Sequence, residues 1–364
     1  LRDIAAETGY SHTTVSRALR CDPRLKPDTI QKIQQAADQM GYQPNPMLAS
    51  LMQAMRTRRD PDTLIANIGW LNTHPDRDHW HEHSYFAHYV EAARKRAREQ
   101  GYGLEELWTA EPGMTAKRLQ QIADSRGVQG FLVPGNVTPL AEMQFDWNPY
   151  AVVCLRERAP AQLNWNRSSI AQRENLLCAF RRLRELGYQR IAYASVIYLP
   201  AASQVTEMDA FNEGTLGQDS FLLMDAIREQ LAGFSYTQLW VEPEHQIRPF
   251  LYCDRFDPSL HKLKTWLKQV RADAVITNDH AMLRACELTG LRVPTDLALA
   301  HVNLDDDVPD WAGIRPYPER LASAAVDLLC THIQCNERGE PHFTKHIRIA
   351  GDWVDGWTAP PCSA

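Results

Sequence analysis

Apolar positions in the first forty residues recur three and four apart in short bursts, a helical period cut into pieces at Gly9 and Gly41. The first piece carries Ile4, Ala5 and Thr8 on one face, and Gly9 ends it with a backbone conformation that other residues rarely adopt. Ser11 stands where its hydroxyl can accept from the free amides of the next turn, so a second helix is expected to start at His12. Val15, Ala18 and Leu19 form its inner face, which turns His12, Thr13, Ser16 and Arg17 outward. A third helix is expected from Pro27 through Ile30, Ile33, Ala37 and Met40, closed by Gly41. Three helices around one apolar seam, joined by a glycine turn, have the form of a helix-turn-helix. Its outward residues are hydrogen-bonding types rather than a solvating charge run, which separates it from a fragment of a larger helical domain. Such a unit enters the major groove by the N-terminus of its second helix. In that geometry Arg17 is the guanine-reading side chain, because the bidentate arginine–guanine pair is the commonest specific contact. His12 and Thr13 set base preference, while Thr14, Ser16 and the helix amides grip phosphate.

From Leu64 onward the period changes. Short β-branched runs at Leu64–Leu71, Val128–Pro134, Ala151–Leu155, Ile191–Ala194 and Ala274–Thr277 alternate with amphipathic stretches at 86–100, 115–125, 173–186, 259–270 and 280–290. That alternation predicts an α/β body with parallel sheets and right-handed crossovers, following the all-α headpiece. Ligands of such sheets sit off the carboxyl ends of the strands. Asn278 ends one of these strands, and Asn303 or Asp305 ends the next. Between the two regions Asn45–Met55 is apolar and helix-prone, then charged and proline-broken through Pro61. A helix this short is marginal in isolation and is expected to fold only on docking.

Charge sharpens this division. Positions 1–59 hold nine Lys/Arg against five Asp/Glu, a balance of +4, and the remainder carries −10, which the overall −6 conceals. A basic arm on an acidic body suits a protein that meets phosphates with one end only. The eight cysteines are scattered without a Cys-x-x-Cys pair, so neither a disulfide framework nor a zinc site is expected. No apolar run approaches the roughly 20 residues that span a bilayer, and no signal-peptide pattern opens the chain, which points to a cytoplasmic protein without a membrane partner. The His74–His83 segment is rich in imidazoles and carboxylates but lacks the helical two-histidine spacing of a zinc hydrolase, and it reads as a surface or rim loop. Asp305–Asp307 reads as a solvated strand end rather than a magnesium site. No P-loop, nucleophile elbow or dinucleotide fingerprint appears, so no catalytic residue and no cofactor are expected.

The run Leu1–Leu19, with Thr14-Val15-Ser16-Arg17, and the later Gly41-Tyr42-Gln43-Pro44-Asn45 resemble the headpiece of the lactose/galactose repressor (LacI/GalR) family of bacterial transcription regulators. The resemblance implies a few residues ahead of the first helix, so a trimmed N-terminus is expected. It implies a headpiece over 1–45, a hinge helix and linker over 46–60, and a two-lobed body like the type I periplasmic binding proteins. One lobe would take 61–158 and 314–336, the other 159–313 and 337–359. It further implies a homodimer on a near-palindromic double-stranded operator and a small-molecule effector, a sugar or similar metabolite. By spacing from Asn45, the minor-groove wedge falls on Leu51, although Pro46 and Leu48-Ala49 depart from the usual hinge. The other reading has Met47, Leu51 and Met55 packing on the body. The family's effector contacts fall on the aromatic pair Tyr85-Phe86, on Asp219 where an arginine is usual, and on Asn278, Asn303 and Asp305. Ala171-Gln172 replaces an Asp-Asn pair, and His301-Val302-Asn303 replaces part of a Gly-Phe-Asp-Asp strand end. An acid in place of the arginine argues against a carboxylate ligand and for one rich in hydroxyls or carrying positive charge. A solute-binding protein or an enzyme could share this body, but the first has no use for residues 1–55 and the second would turn over its ligand.

Overall fold

The computed structural model describes residues 2–19, 22, 24–40, 64, 66–74, 76–78, 84–134, 144–155, 164–197, 225–253, 256–305 and 308–362. Three short helices open the chain: α1 (Arg2–Thr8), α2 (His12–Ala18) and α3 (Pro27–Gln39). Ile4, Val15, Ala18, Ile33 and Ala37 are buried together at their centre, with Ala5, Tyr10, Leu19, Leu25 and Ile30 packed around them. Burying five small and branched side chains is a modest driving force, which suits a module of this size. Met40, expected on the same seam, is 45% exposed because α3 stops at Gln39 and the next residue leaves the helical face.

The body is built from β1 (Ala66–Asn72), α4 (Ser84–Glu99), β2 (Tyr102–Trp108), α5 (Ala116–Ser125), β3 (Val128–Pro134), β4 (Ala151–Leu155) and β5 (Asn166–Ile170). It continues through α6 (Gln172–Glu185), β6 (Ile191–Ile197), α7 (Asp225–Gln238), β7 (Phe250–Cys253), α8 (Phe256–Val270), β8 (Ala274–Thr277), α9 (Met282–Thr289) and β9 (Ala298–His301). The remaining elements are β10 (Gly313–Arg315), α10 (Pro318–Cys335), β11 (His346–Ile349) and β12 (Asp352–Val354).

Two sheets result, ordered β11-β5-β4-β3-β1-β2 and β12-β10-β9-β8-β6-β7. The pairs β1–β2, β1–β3, β3–β4, β6–β7, β6–β8 and β8–β9 are all parallel, as right-handed crossovers require, and β12 joins β10 antiparallel. The same winding is thus used twice. In each sheet the strand order reverses beside the first strand, β1 or β6, and that reversal is where open α/β sheets bind ligands. The chain divides into two compact units, Leu1–Ser168 with Ala322–Ile347, and Ser169–Leu321 with Arg348–Ala364. The second unit buries a continuous core on both faces of its sheet, including Leu176, Leu183, Tyr193, Phe234, Ile276 and Leu299.

Leu64, expected to begin the first strand, is 46% exposed, and pairing starts two residues later at Ala66. Strands β2, β5, β7, β10, β11 and β12 and helices α7 and α10 were not marked by the hydrophobic pattern. Strand β2 explains why: its Glu105-Glu106 pair interrupts the apolar run because the strand lies at the sheet edge, paired on one side only.

Candidate functional site

The DNA-reading end is fixed by local chemistry. Gly9 adopts φ +73° between α1 and α2, and its amide donates to the Ala5 carbonyl at 3.0 Å. Thr8 lies on the inner face of α1 because its hydroxyl donates to the Ile4 carbonyl at 2.6 Å. Ser11 caps α2: its Oγ accepts from the Thr14 amide at 3.1 Å and pairs with Thr14 Oγ1 at 2.8 Å. Thr14 is therefore engaged by the cap through both its amide and its hydroxyl. Thr13 and Arg17, four residues apart on one face, are exposed. The side chains of His12 and Ser16 lie outside the described residues, as do Asn45, Leu51 and the whole hinge segment.

The turn after α2 adds a feature that hydrophobic spacing could not reveal. The Asp22 amide donates to the Arg17 carbonyl at 3.0 Å, which draws Asp22 back onto the end of α2. Its carboxylate, only 8% exposed as a residue, accepts Arg24 Nε at 2.9 Å and Nη2 at 2.7 Å, and lies 3.9 Å from Arg17 Nε. The hydrogen bonds from Arg24 hold its pKa down at about 2.

A second polar constellation occupies the second unit, beside the carboxyl ends of β8 and β9. Gln172, in the first turn of α6, accepts at Oε1 from Gln230 Nε2 of α7 at 2.6 Å and from Asn303 Nδ2 at 3.4 Å. Gln230 in turn accepts from the Tyr193 hydroxyl at 2.7 Å. The Asn303 amide donates to His301 Nδ1 at 3.3 Å, which leaves the ring proton on Nε2 in the neutral tautomer. His301 is 3% exposed, and burial drives its pKa down to about 4, so the ring is neutral at pH 7. Asn303 Oδ1 and His301 Nε2 are buried without a hydrogen-bond partner among the described residues. One is an acceptor and the other a donor, and no full charge sits on either.

The candidate residues distribute unevenly over this site. Asn303 is in it, two residues past the end of β9 rather than at the strand end. Asn278 follows the end of β8 at Thr277 and is half-buried, as is Asp305. Tyr85 and Phe86 fall in the first turn of α4, but their side chains lie outside the described residues, and so does Asp219. Sequence reasoning missed Gln230, Tyr193 and His301, and treated Gln172 only as a departure from the usual pair. The signal was present in Gln172: an uncharged amide at the start of a helix, whose first turn has no side-chain cap from Ala171.

In the first unit, Asn72 ends β1 fully buried. Its Nδ2 donates to the Arg77 carbonyl at 2.7 Å, and its Oδ1 accepts from the His74 amide at 3.1 Å. His74 is thereby tied into a turn, with Nδ1 accepting from the Asp76 amide at 3.1 Å. The described residues contain no group of three or more His, Cys, Asp or Glu side chains arranged to hold a metal.

Protonation of His301 gives a testable consequence. The unfolded imidazole, near 6.5, takes a proton before the folded one, near 4, so the unfolded state binds more protons in that interval. Stability of the second unit should fall as pH drops from about 6.5 to about 4, on the order of 1.4 kcal/mol per pH unit. Acid titration of thermal unfolding should show this loss in the native protein and a shallower one in His301→Gln. An equal slope in both would mean that the ring is hydrated when folded.

Residues 1–45 match the bacterial regulatory proteins of the lacI family, and residues 180–356 match the periplasmic binding protein-like domain. The chain thus carries a lacI-family DNA-binding domain followed by a periplasmic-binding-protein-like domain. The headpiece just described is the helix-turn-helix of the first match, and the doubly wound units have the periplasmic-binding-protein-like fold. A probable HTH-type transcriptional repressor, ExuR of Bacillus subtilis (strain 168), is 47% identical over 58 residues, which cover 16% of this chain and 17% of that relative. The match spans about a sixth of the length of that relative, so it says nothing of its body. Among solved structures, the transcriptional regulator CelR bound to cellobiose aligns at TM-score 0.53 and 18% identity over 98% of both chains. The lac repressor dimer bound to operator and the anti-inducer ONPF aligns at TM-score 0.53 and 17% identity over 98% of both. A periplasmic binding protein/LacI regulator from Alkaliphilus metalliredigens QYMF, complexed with D-xylulofuranose, aligns at 0.50 and 16% over 80% of this chain and 98% of that one. Identities this low establish the shared fold and leave ligand choice to each chain's own residues.

Proposed function

We propose that this lacI-family protein is a homodimeric transcriptional repressor that binds a near-palindromic double-stranded operator and releases or tightens its hold when a small molecule binds the body. The observation that carries this reading is the exposed Thr13–Arg17 face of a capped recognition helix on a chain whose body is of the ligand-binding type. Arg17 reads guanine, His12 and Thr13 set base preference, and Ser16 and Thr14 lie toward phosphate. Asn45, at the end of the 1–45 headpiece, and Leu51, in the hinge over 46–60, complete the DNA contacts, and the hinge joins the headpiece to a body lobe of 61–158 with 314–336. The other body lobe takes 159–313 with 337–359. A coupling of roughly 1–3 kcal/mol between effector and operator corresponds to a 5- to 150-fold change in affinity.

The effector is an uncharged, hydroxyl-rich molecule. The unpaired Asn303 acceptor matches a ligand hydroxyl, and neither Asn303 nor the neutral His301 supplies the cation that a carboxylate would need. Asn278, Asp305, Asp219, Tyr85 and Phe86 complete the candidate contacts. The protein works in the cytoplasm and does not transform its ligand, which should be recovered unchanged. No helix among the described residues is long and apolar enough to cross a membrane.

Two measurements on the full chain test this reading. Selection from a randomised duplex pool should yield a palindromic site, and absence of any preference over random competitor would end it. A panel of neutral sugars and polyols set against sugar acids, read by thermal shift, should stabilise the body with the neutral class. A micromolar binder at millimolar concentration contributes about 4 kcal/mol. Stabilisation by sugar acids alone would overturn the neutral assignment.

A further inference from the structure

Arg17 is long, flexible and half-exposed, so something must hold it if it is to discriminate bases rather than merely attract phosphate. Ordering such a side chain on binding costs rotamer entropy unless the free protein already restrains it. The group placed to supply that restraint lies in the turn after α2. The Asp22 amide is bound to the Arg17 carbonyl at 3.0 Å and the Leu25 amide to the Asp22 carbonyl at 3.0 Å, so Asp22 is anchored to the same helical turn that carries Arg17. Its carboxylate lies on the Nε side of Arg17, at 3.9 Å, which leaves the two terminal nitrogens of that guanidinium as the fork for a guanine edge.

We propose that Asp22 is a positioning residue for DNA reading: it braces Arg17 from behind through Nε and so converts a general cation into a base-selective one. This inference rests on the reading of Arg17 as the guanine contact. A bare carboxylate so close to DNA would repel the backbone, and Arg24 removes that penalty. Arg24 clamps Asp22 through Nε and Nη2, and also through its own amide to Asp22 Oδ1 at 3.1 Å. The pair is ionised at any working pH, because the Arg24 hydrogen bonds keep the Asp22 carboxyl near 2. The three residues thus form a carboxylate flanked by two guanidiniums. Arg17 faces the groove, and Arg24, 74% exposed along its side chain, is available to the neighbouring phosphates.

Asp22→Asn is the informative substitution, since the amide oxygen keeps the bond from the Arg24 amide and hence the turn. The probes are the duplex that the full-length protein selects from a random pool, the same duplex with its guanine position substituted, and random-sequence DNA. Asp22→Asn should lower the preference for the selected over the substituted duplex about tenfold, while binding to random DNA stays constant or tightens slightly with the lost negative charge. In an Arg17→Ala background the same change should leave the preference unaltered. The proposal is overturned by an equal loss on every duplex, or by an undiminished effect of Asp22→Asn once Arg17 is gone. If Arg17→Ala itself leaves base preference intact, the reading of Arg17 has failed instead. If Arg17→Ala lowers the preference and Asp22→Asn does not, only the brace has failed.

Discussion

Phe131→Ala should destabilise the first unit by about 3–5 kcal/mol, the usual cost of emptying a fully enclosed aromatic site. Phe131 is wholly buried in β3, the strand between β1 and β4. Its ring meets Tyr150 at 4.8 Å and Phe145 and Trp147 each at 5.9 Å, all edge to face. On the neighbouring strand its register partner is Gly69, where a Cβ would sit 2.5 Å from Phe131 Cδ1. The glycine is there to admit the ring. Removal of the ring therefore leaves a void that neither strand can close, because three other large rings hold the walls apart. The two compact units need not unfold together, so the measurement is a urea titration read by hydrogen exchange at β1, β3 and β4. A loss below about 1 kcal/mol would show that the cluster collapses onto the gap. The pair also predicts non-additivity. Gly69→Ala should be costly alone and nearly free in the Phe131→Ala protein, since the clashing atoms are gone.

Arg17→Ala should weaken the selected duplex by on the order of 1–3 kcal/mol and relax preference at one base position, with little effect on random DNA. The physical ground is the placement of Arg17 on an exposed face of a helix that Ser11 starts and Gly9 aims. Val15 and Ala18 pin the opposite face of that helix into the headpiece core. Arg17 takes no part in the headpiece core, so the headpiece should keep its fold and the loss should appear as specificity. A contact to phosphate would behave otherwise: every sequence would lose alike, and the salt dependence of binding would fall by about one unit of slope. Competition titrations at two salt concentrations separate the two cases.

The headpiece was legible because everything that makes it is local. A glycine, a serine cap and apolar residues three and four apart suffice to specify α1 and α2, and each of those signals lies within a few residues of the element it controls. The central parallel strands β1, β3, β4, β6 and β8 were legible for a related reason. Strands covered on both faces carry unbroken apolar runs, whereas the edge strand β2 carries Glu105 and Glu106 and so escaped notice. The effector site was the least legible part. Its chemistry depends on Gln172 meeting Gln230, 58 positions away, and Asn303, 131 positions away. No spacing rule links such residues.

Sequence alone determined that a basic helix-turn-helix precedes an acidic α/β body, because hydrogen-bond caps, helical period and strand composition act over a few residues of chain. The tertiary structure decided which polar groups became partners: Asp22 with both Arg17 and Arg24, Gln172 with both Gln230 and Asn303, and Gly69 beneath Phe131. Those choices arise when distant segments are brought together in a packed interior, where an unmatched donor or a misplaced methyl carries its full energetic cost.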